Sequence, residues 1–104
     1  METVANSLAP FSPTHPGEMI KEEIEYRGMS QKELARRMGV PYMAVYEVLN
    51  GRRRVSPEFA IFIEAALGIE ADMFVCMQMR YDMQVARRDK KLIERFDEVR
   101  CAAL

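Results

Sequence analysis

The sequence predicts an all-α domain of five to six helices, and three observations carry that expectation. Apolar residues recur at helical spacing in several segments, and none of these segments alternates as a strand does. Residues that start and stop helices punctuate the segments. One stretch, Ser30 to Gly51 (SQKELARRMGVPYMAVYEVLNG), compresses two short helical patterns around a tight turn. At 104 residues the chain is one small domain with a modest core.

Each element follows from local chemistry. Residues 1–14 hold Ser7, Pro10, Ser12 and Pro13 with few apolar side chains, and are expected to be a mobile arm. A first helix is expected from about Gly17 to Arg27, with Ile20 and Ile24 inward, Glu22, Glu23 and Glu25 outward, and Gly28 as its stop. His15 precedes a proline and reads as a helix-start residue rather than a ligand or base. Ser30 and Glu33 form a capping box for the second helix. Leu34 and Met38 share one face, and Ala35 is small enough for close approach by a neighbour. Gly39 supplies the positive φ of a sharp turn. Pro41 suits the first turn of the third helix. Val45, Val48 and Leu49 give that helix an apolar stripe, and Asn50-Gly51 ends it.

Ser56-Pro57-Glu58 opens a fourth helix with a cap, a first-turn proline and an early acid. Its inward face is expected to use Phe59, Phe62, Ile63, Ala66 and Leu67, and Gly68 stops it. A fifth helix is expected from Ala71 or Asp72 to about Arg87, with Phe74, Met77, Tyr81 and Val85 in helical register. Met73, Phe74, Val75, Cys76, Met77 and Met79 spread apolar character around much of its circumference. That breadth fits either a partner helix or burial on two sides within one chain. A last helix, from about Asp89 to Arg100, carries Leu92, Ile93, Phe96 and Val99 on one side.

Two helices around a tight turn are the helix-turn-helix arrangement, which places its second helix in the DNA major groove. The same spacing also occurs in helical hairpins that bind nothing. Three arginines, Arg52, Arg53 and Arg54, follow the motif at once and add a grip for phosphate. The net charge of −1 looks wrong for a nucleic-acid binder, but its distribution does not. Residues 27–58 carry seven basic and three acidic side chains, whereas residues 1–26 carry one and five. A local field of this kind matters more for DNA than the global charge.

Other classes find no support. No apolar run approaches the roughly 20 residues of a membrane span. The N-terminus lacks the pattern of a secretory signal, so a cytoplasmic protein is expected. Cys76 and Cys101 form no metal-binding pair, and in a reduced compartment they are expected to act as small buried hydrophobes. No metal site, no cofactor and no catalytic constellation is expected.

The chain resembles the HigA-type antitoxins, a branch of the Xre-like helix-turn-helix regulators. The marks are His15-Pro16-Gly17-Glu18 before the first helix, the motif from Ser30 to Gly51, Arg52-Arg53 after it, Ser56-Pro57-Glu58, and Gln78-x-x-Tyr81-Asp82 in the fifth helix. They cover about residues 15–87, and residues 88–104 form a C-terminal helix and tail outside them. The resemblance implies a lambda-repressor-like domain with a dual role. Such a protein binds and neutralises a toxin, typically a HigB-type messenger-RNA endonuclease, and represses the operon encoding both. It also implies a homodimer on a palindromic operator. The C-terminal helices often form the dimer, and Phe74, Met77 and Tyr81 are the residues expected there.

On this pattern Gln31 meets a phosphate at the start of the second helix. Pro41, Tyr42, Met43, Ala44 and Glu47 face bases, Asn50 at the end of the reading helix is also expected to contact DNA, and Arg52, Arg53 and Arg54 lie over flanking phosphates. Tyr42 and Tyr46 can instead bond phosphate or pack at the surface. Antitoxins of this branch often carry arginine or other strong hydrogen-bonding residues at the sites of Tyr42 and Ala44, and this chain does not. Met43 and Ala44 suit a thymine methyl, and Glu47 can accept from cytosine. Such a sparse set predicts that specificity comes partly from operator spacing and DNA shape. Two other readings remain open: a stand-alone or prophage-type regulator without a toxin, and an interaction module that has lost DNA binding.

Overall fold

The computed structural model describes residues 14–103. Most of the expected N-terminal arm, residues 1–13, lies outside the described residues, as does Leu104. Helices α1 (Pro16–Tyr26), α2 (Gln31–Met38), α3 (Tyr42–Leu49), α4 (Pro57–Leu67), α5 (Ala71–Ala86) and α6 (Lys90–Ala103) follow in order, with no strand among the described residues.

Helix boundaries follow the capping chemistry. His15 caps α1, its Nδ1 accepting the Gly17 N–H at 2.9 Å, so the histidine starts the helix as its place before a proline implies. Ser30 caps α2 through the Glu33 N–H at 3.1 Å. The Glu33 carboxylate turns toward Arg36 and Arg37. Hydrogen bonds from Arg36 and then Arg37 hold its carboxyl below the usual range. Gly39 ends α2 in the left-handed region (φ 68°), where a β-carbon would be strained. Pro41 is the N-cap of α3, one place earlier than expected, and leaves that cap without a side-chain hydrogen bond. Ser56 caps α4 through the Phe59 N–H. No residue of its own caps α5 through a side chain; Glu64 of α4 accepts the Ala71 N–H at 2.9 Å instead.

Helices α1 to α5 enclose one core. Ile20 and Ile24 of α1, Leu34, Ala35 and Met38 of α2, and Val45, Val48 and Leu49 of α3 meet there. Val55, then Phe59, Ala60, Ile63 and Leu67 of α4, and Ala71 and Phe74 of α5 complete it. Helix α2 packs on α3 and α4, α1 on α3 and α5, and α4 on α5.

Two expectations need correction here. Phe74 has no exposed surface, because it points into the chain's own core, and it is therefore not a dimer contact. Met77 is half-buried against the same core. The exposed side of α5 instead carries Cys76, Met79, Arg80 and Met83. Cys76 and Cys101 are both exposed thiols, not buried hydrophobes, because each falls on a helix face that no other described residue covers. The last helix forms as expected, with Asp89 capping it through the Lys91 and Leu92 N–H groups; α6 buries no residue, and Leu92, Ile93, Phe96 and Val99 all stay exposed.

Candidate nucleic-acid interface

The turn at Gly39 and Val40 sets α3 against α2 and leaves one side of α3 outward. Val45, Val48 and Leu49 anchor the inner side in the core. Pro41, Tyr42, Met43 and Asn50 are exposed, and Ala44, Tyr46 and Glu47 are partly so. All of these expected reading residues thus share the accessible side of one short helix. The Tyr42 and Tyr46 rings lie 6.0 Å apart, and the Lys32 ammonium sits 5.8 Å from the Tyr42 ring centre. The Asn50 side-chain amide donates to the Tyr46 carbonyl at 2.8 Å and so helps close the helix. At the start of α2, the Gln31 Oε1 is shielded and has no hydrogen-bond partner among the described residues.

The loop after α3 is held residue by residue. The Arg52 N–H donates to the Glu47 carbonyl at 2.8 Å. The Arg53 guanidinium pairs with the Glu47 carboxylate at 2.7 Å. The Arg54 Nη1 donates to Asp82 Oδ2 of α5 at 2.6 Å. The Val55 N–H donates to the buried Gln78 Oε1 at 2.8 Å, and Gln78 Nε2 donates to Asp82 Oδ1 at 3.0 Å. Two of the three arginines therefore have carboxylate partners, and among the described residues Arg52 is the one without. Glu47 is tied to Arg53, so this expected base reader is already engaged.

The two outlying sequence marks meet at this loop. His15 packs edge-on against Tyr81, ring centres 5.0 Å apart and planes at 78°. A β-carbon on Gly17 would collide with the Val48 carbonyl, so only glycine lets α1 begin against the end of α3. Burial lowers the pKa of His15. The hydrogen bond to the Arg53 backbone and the charges of Glu18 and Asp82 oppose this without reversing it. Burial pushes the Asp82 carboxyl up, but hydrogen bonds from Gln78 and Arg54 and the charge of Arg54 bring it below the usual range on balance.

Sequence reasoning did not find Gln78 or Asp82 as partners of this loop. The mark QxxYD was visible, but its partners lie 23 and 28 residues away, beyond any local periodicity.

A short outward helix beyond a glycine turn, followed by a basic loop, defines the helix-turn-helix class of DNA-binding domain. A helix-turn-helix family model (HTH_3) matches residues 20–74, just over half of the chain, and the chain belongs to that family. Among solved structures it is similar to an addiction module antidote protein of the HigA family from Coxiella burnetii. Identity is 30%, the TM-score is 0.74, and 82% of this chain and 95% of that one are covered. It is also similar to the Pseudomonas aeruginosa antitoxin HigA, solved with the higBA promoter. There identity is 27%, the TM-score is 0.73, and coverage is 80% and 92%. A curated relative, virulence-associated protein I of Dichelobacter nodosus, is 30% identical over 76% of this chain and 74% of its own length. The resemblance to HigA-type antitoxins is thus matched in three dimensions. Among the described residues, no helix is long and apolar enough to cross a membrane.

Proposed function

We propose that the chain is the antitoxin of a type II toxin–antitoxin pair. It binds the operator of its own operon as a homodimer, and it neutralises a HigB-type messenger-RNA endonuclease. One observation carries this reading: a structure solved with its promoter DNA matches 80% of the chain at a TM-score of 0.73. The protein acts by binding, in the cytoplasm, and has no catalytic role.

DNA binding follows from the surface of α3. Pro41, Tyr42, Met43, Ala44 and Glu47 face the major groove, Tyr46 and Asn50 line its edge, and Gln31 meets phosphate at the start of α2. Arg52 to Arg54 grip the flanking backbone. A dimer sets two such helices roughly 34 Å apart, one turn of DNA, and the palindrome mirrors that symmetry. With few hydrogen-bonding readers, half-site spacing and groove shape carry much of the specificity.

The dimer surface is the exposed apolar side of α5 and α6. Met79, Met83 and Val85 are each about half exposed or more, as are Leu92, Ile93, Phe96 and Val99. Single exposed apolar residues are ordinary on a monomer; a run along two consecutive helices marks an interaction site. Tyr81, half-buried against His15, borders this surface.

The test has two arms. DNA from upstream of the gene is expected to be retarded specifically, with roughly 0.9 lost from the slope of log affinity against log salt for each phosphate contact removed in Arg52→Ala/Arg53→Ala. The adjacent gene product is expected to co-purify with the chain, and its toxicity to be relieved. The Glu47–Arg53 and Arg54–Asp82 pairs favour a second reading, an interaction module without DNA binding. Absence of any shift at low salt selects it. A specific shift with no toxin partner selects a stand-alone regulator.

A further inference from the structure

One turn of α5 holds the arginine loop by two polar side chains. Gln78 is buried, and both ends of its amide are used: Oε1 on the Val55 N–H, Nε2 on Asp82. Asp82 in turn receives Arg54. The Arg54 side chain remains 68% exposed while making this bond, so much of its guanidinium is open to a ligand. A surface ion pair of this kind adds little to stability. Burying a glutamine to brace it requires that its hydrogen bonds be made, as they are here.

We propose that Asp82, braced by Gln78, is a positioning residue for DNA binding: it fixes the orientation of Arg54 so that the guanidinium meets a backbone phosphate already ordered. The inference rests on the DNA-binding reading above. A free arginine must give up rotamer freedom when it binds, and one held in advance gives up less. The proposal predicts a sign that simple electrostatics does not. Asp82 is an anion beside a phosphate-facing loop, so charge alone says that removing it tightens binding. Positioning says that removing it loosens binding.

The experiment measures affinity for a duplex from upstream of the gene, using full-length protein at fixed salt, with folding checked by circular dichroism. Asp82→Ala is expected to weaken binding roughly two- to ten-fold. Asp82→Asn keeps one acceptor oxygen but sets an amide N–H against Gln78 or Arg54, whose donors each meet a separate Asp82 oxygen in the wild type, so it is expected to weaken binding too, by less than Asp82→Ala. In an Arg54→Ala background, Asp82→Ala is expected to cause no further loss. Equal or tighter binding by the single Asp82→Ala variant overturns the proposal. So does an equal loss with and without Arg54, which means that Asp82 acts through the fold. If the wild type itself binds no duplex at low salt, the DNA-binding reading falls first and this inference falls with it.

Discussion

Helices α4 and α6 both carry an apolar stripe at helical spacing and have opposite fates. Phe59, Ile63 and Leu67 of α4 retain at most 8% of their surface. Leu92, Ile93, Phe96 and Val99 of α6 retain between 45% and 61%. Both stripes have helical spacing, and both helices have a side-chain cap. The difference lies in what surrounds them. Helix α4 packs against α2 and α5, while α6 leaves the body at Arg87 and Arg88 and buries nothing. Periodicity therefore shows which face of a helix is apolar, and says nothing about whether the same chain covers it.

Truncation in the two helices gives the largest contrast. Ile63→Ala is expected to cost about 2–5 kcal/mol, the range for emptying a fully enclosed aliphatic site. Phe96→Ala is expected to change the stability of dilute protein by less than about 0.5 kcal/mol, as surface substitutions do. At high concentration Phe96→Ala is expected to weaken self-association, because the exposed stripe is the proposed dimer surface. Urea unfolding at two protein concentrations checks both. A loss at Phe96 comparable to that at Ile63 in dilute protein breaks the comparison.

A backbone contact closes the body that α6 lacks. Gly17→Ala places a methyl against the Val48 carbonyl, which belongs to a helix and cannot rotate away. Overpacking of this type costs about 1–3 kcal/mol, sometimes more. Thermal unfolding measures it, and an unchanged melting temperature shows that α1 can pivot from α3 without loss.

What was legible in the sequence follows the range of the interaction. The Ser30 and Ser56 caps, the Gly39 turn and the inner stripe of α3 depend on residues within a turn of one another, and each stands where expected. The displacement of Pro41 by one place is a boundary effect of the kind local signals do not fix. The errors lie where a distant segment decides. Phe74 and Met77 lie in apolar register on α5, but only the positions of α1 and α4 determine that this register faces the core. Gln78 and Asp82 are polar residues on an apolar helix, and their meaning comes from Val55 and Arg54. The set HPGE and QxxYD had no chemical reason in sequence. In space the two marks form one seam, with His15 on Tyr81, Gly17 on Val48, and Gln78 and Asp82 on the arginine loop.

The smallest effect sharpens the same contrast through pH. His15 is the one histidine in the chain, and it belongs to the buried seam, not to α6. Its Nδ1 must be unprotonated to accept the Gly17 N–H, and burial lowers its pKa below 6.5 in the folded chain. Between the folded value and 6.5 the unfolded chain binds more protons, so stability rises with pH there. The contribution is complete above about 6.5 and is lost as pH falls through the folded value. Asp82 and Glu33, whose pKa values also fall on folding, contribute above their unfolded values of 3.8 and 4.5 and are lost only at lower pH. Unfolding free energy is therefore expected to decline through His15 as pH falls from about 6.5 toward its lowered folded value. In His15→Asn the cap keeps an acceptor that does not titrate, and the decline is expected to disappear. A decline of the same size in that variant assigns the effect to groups other than the seam.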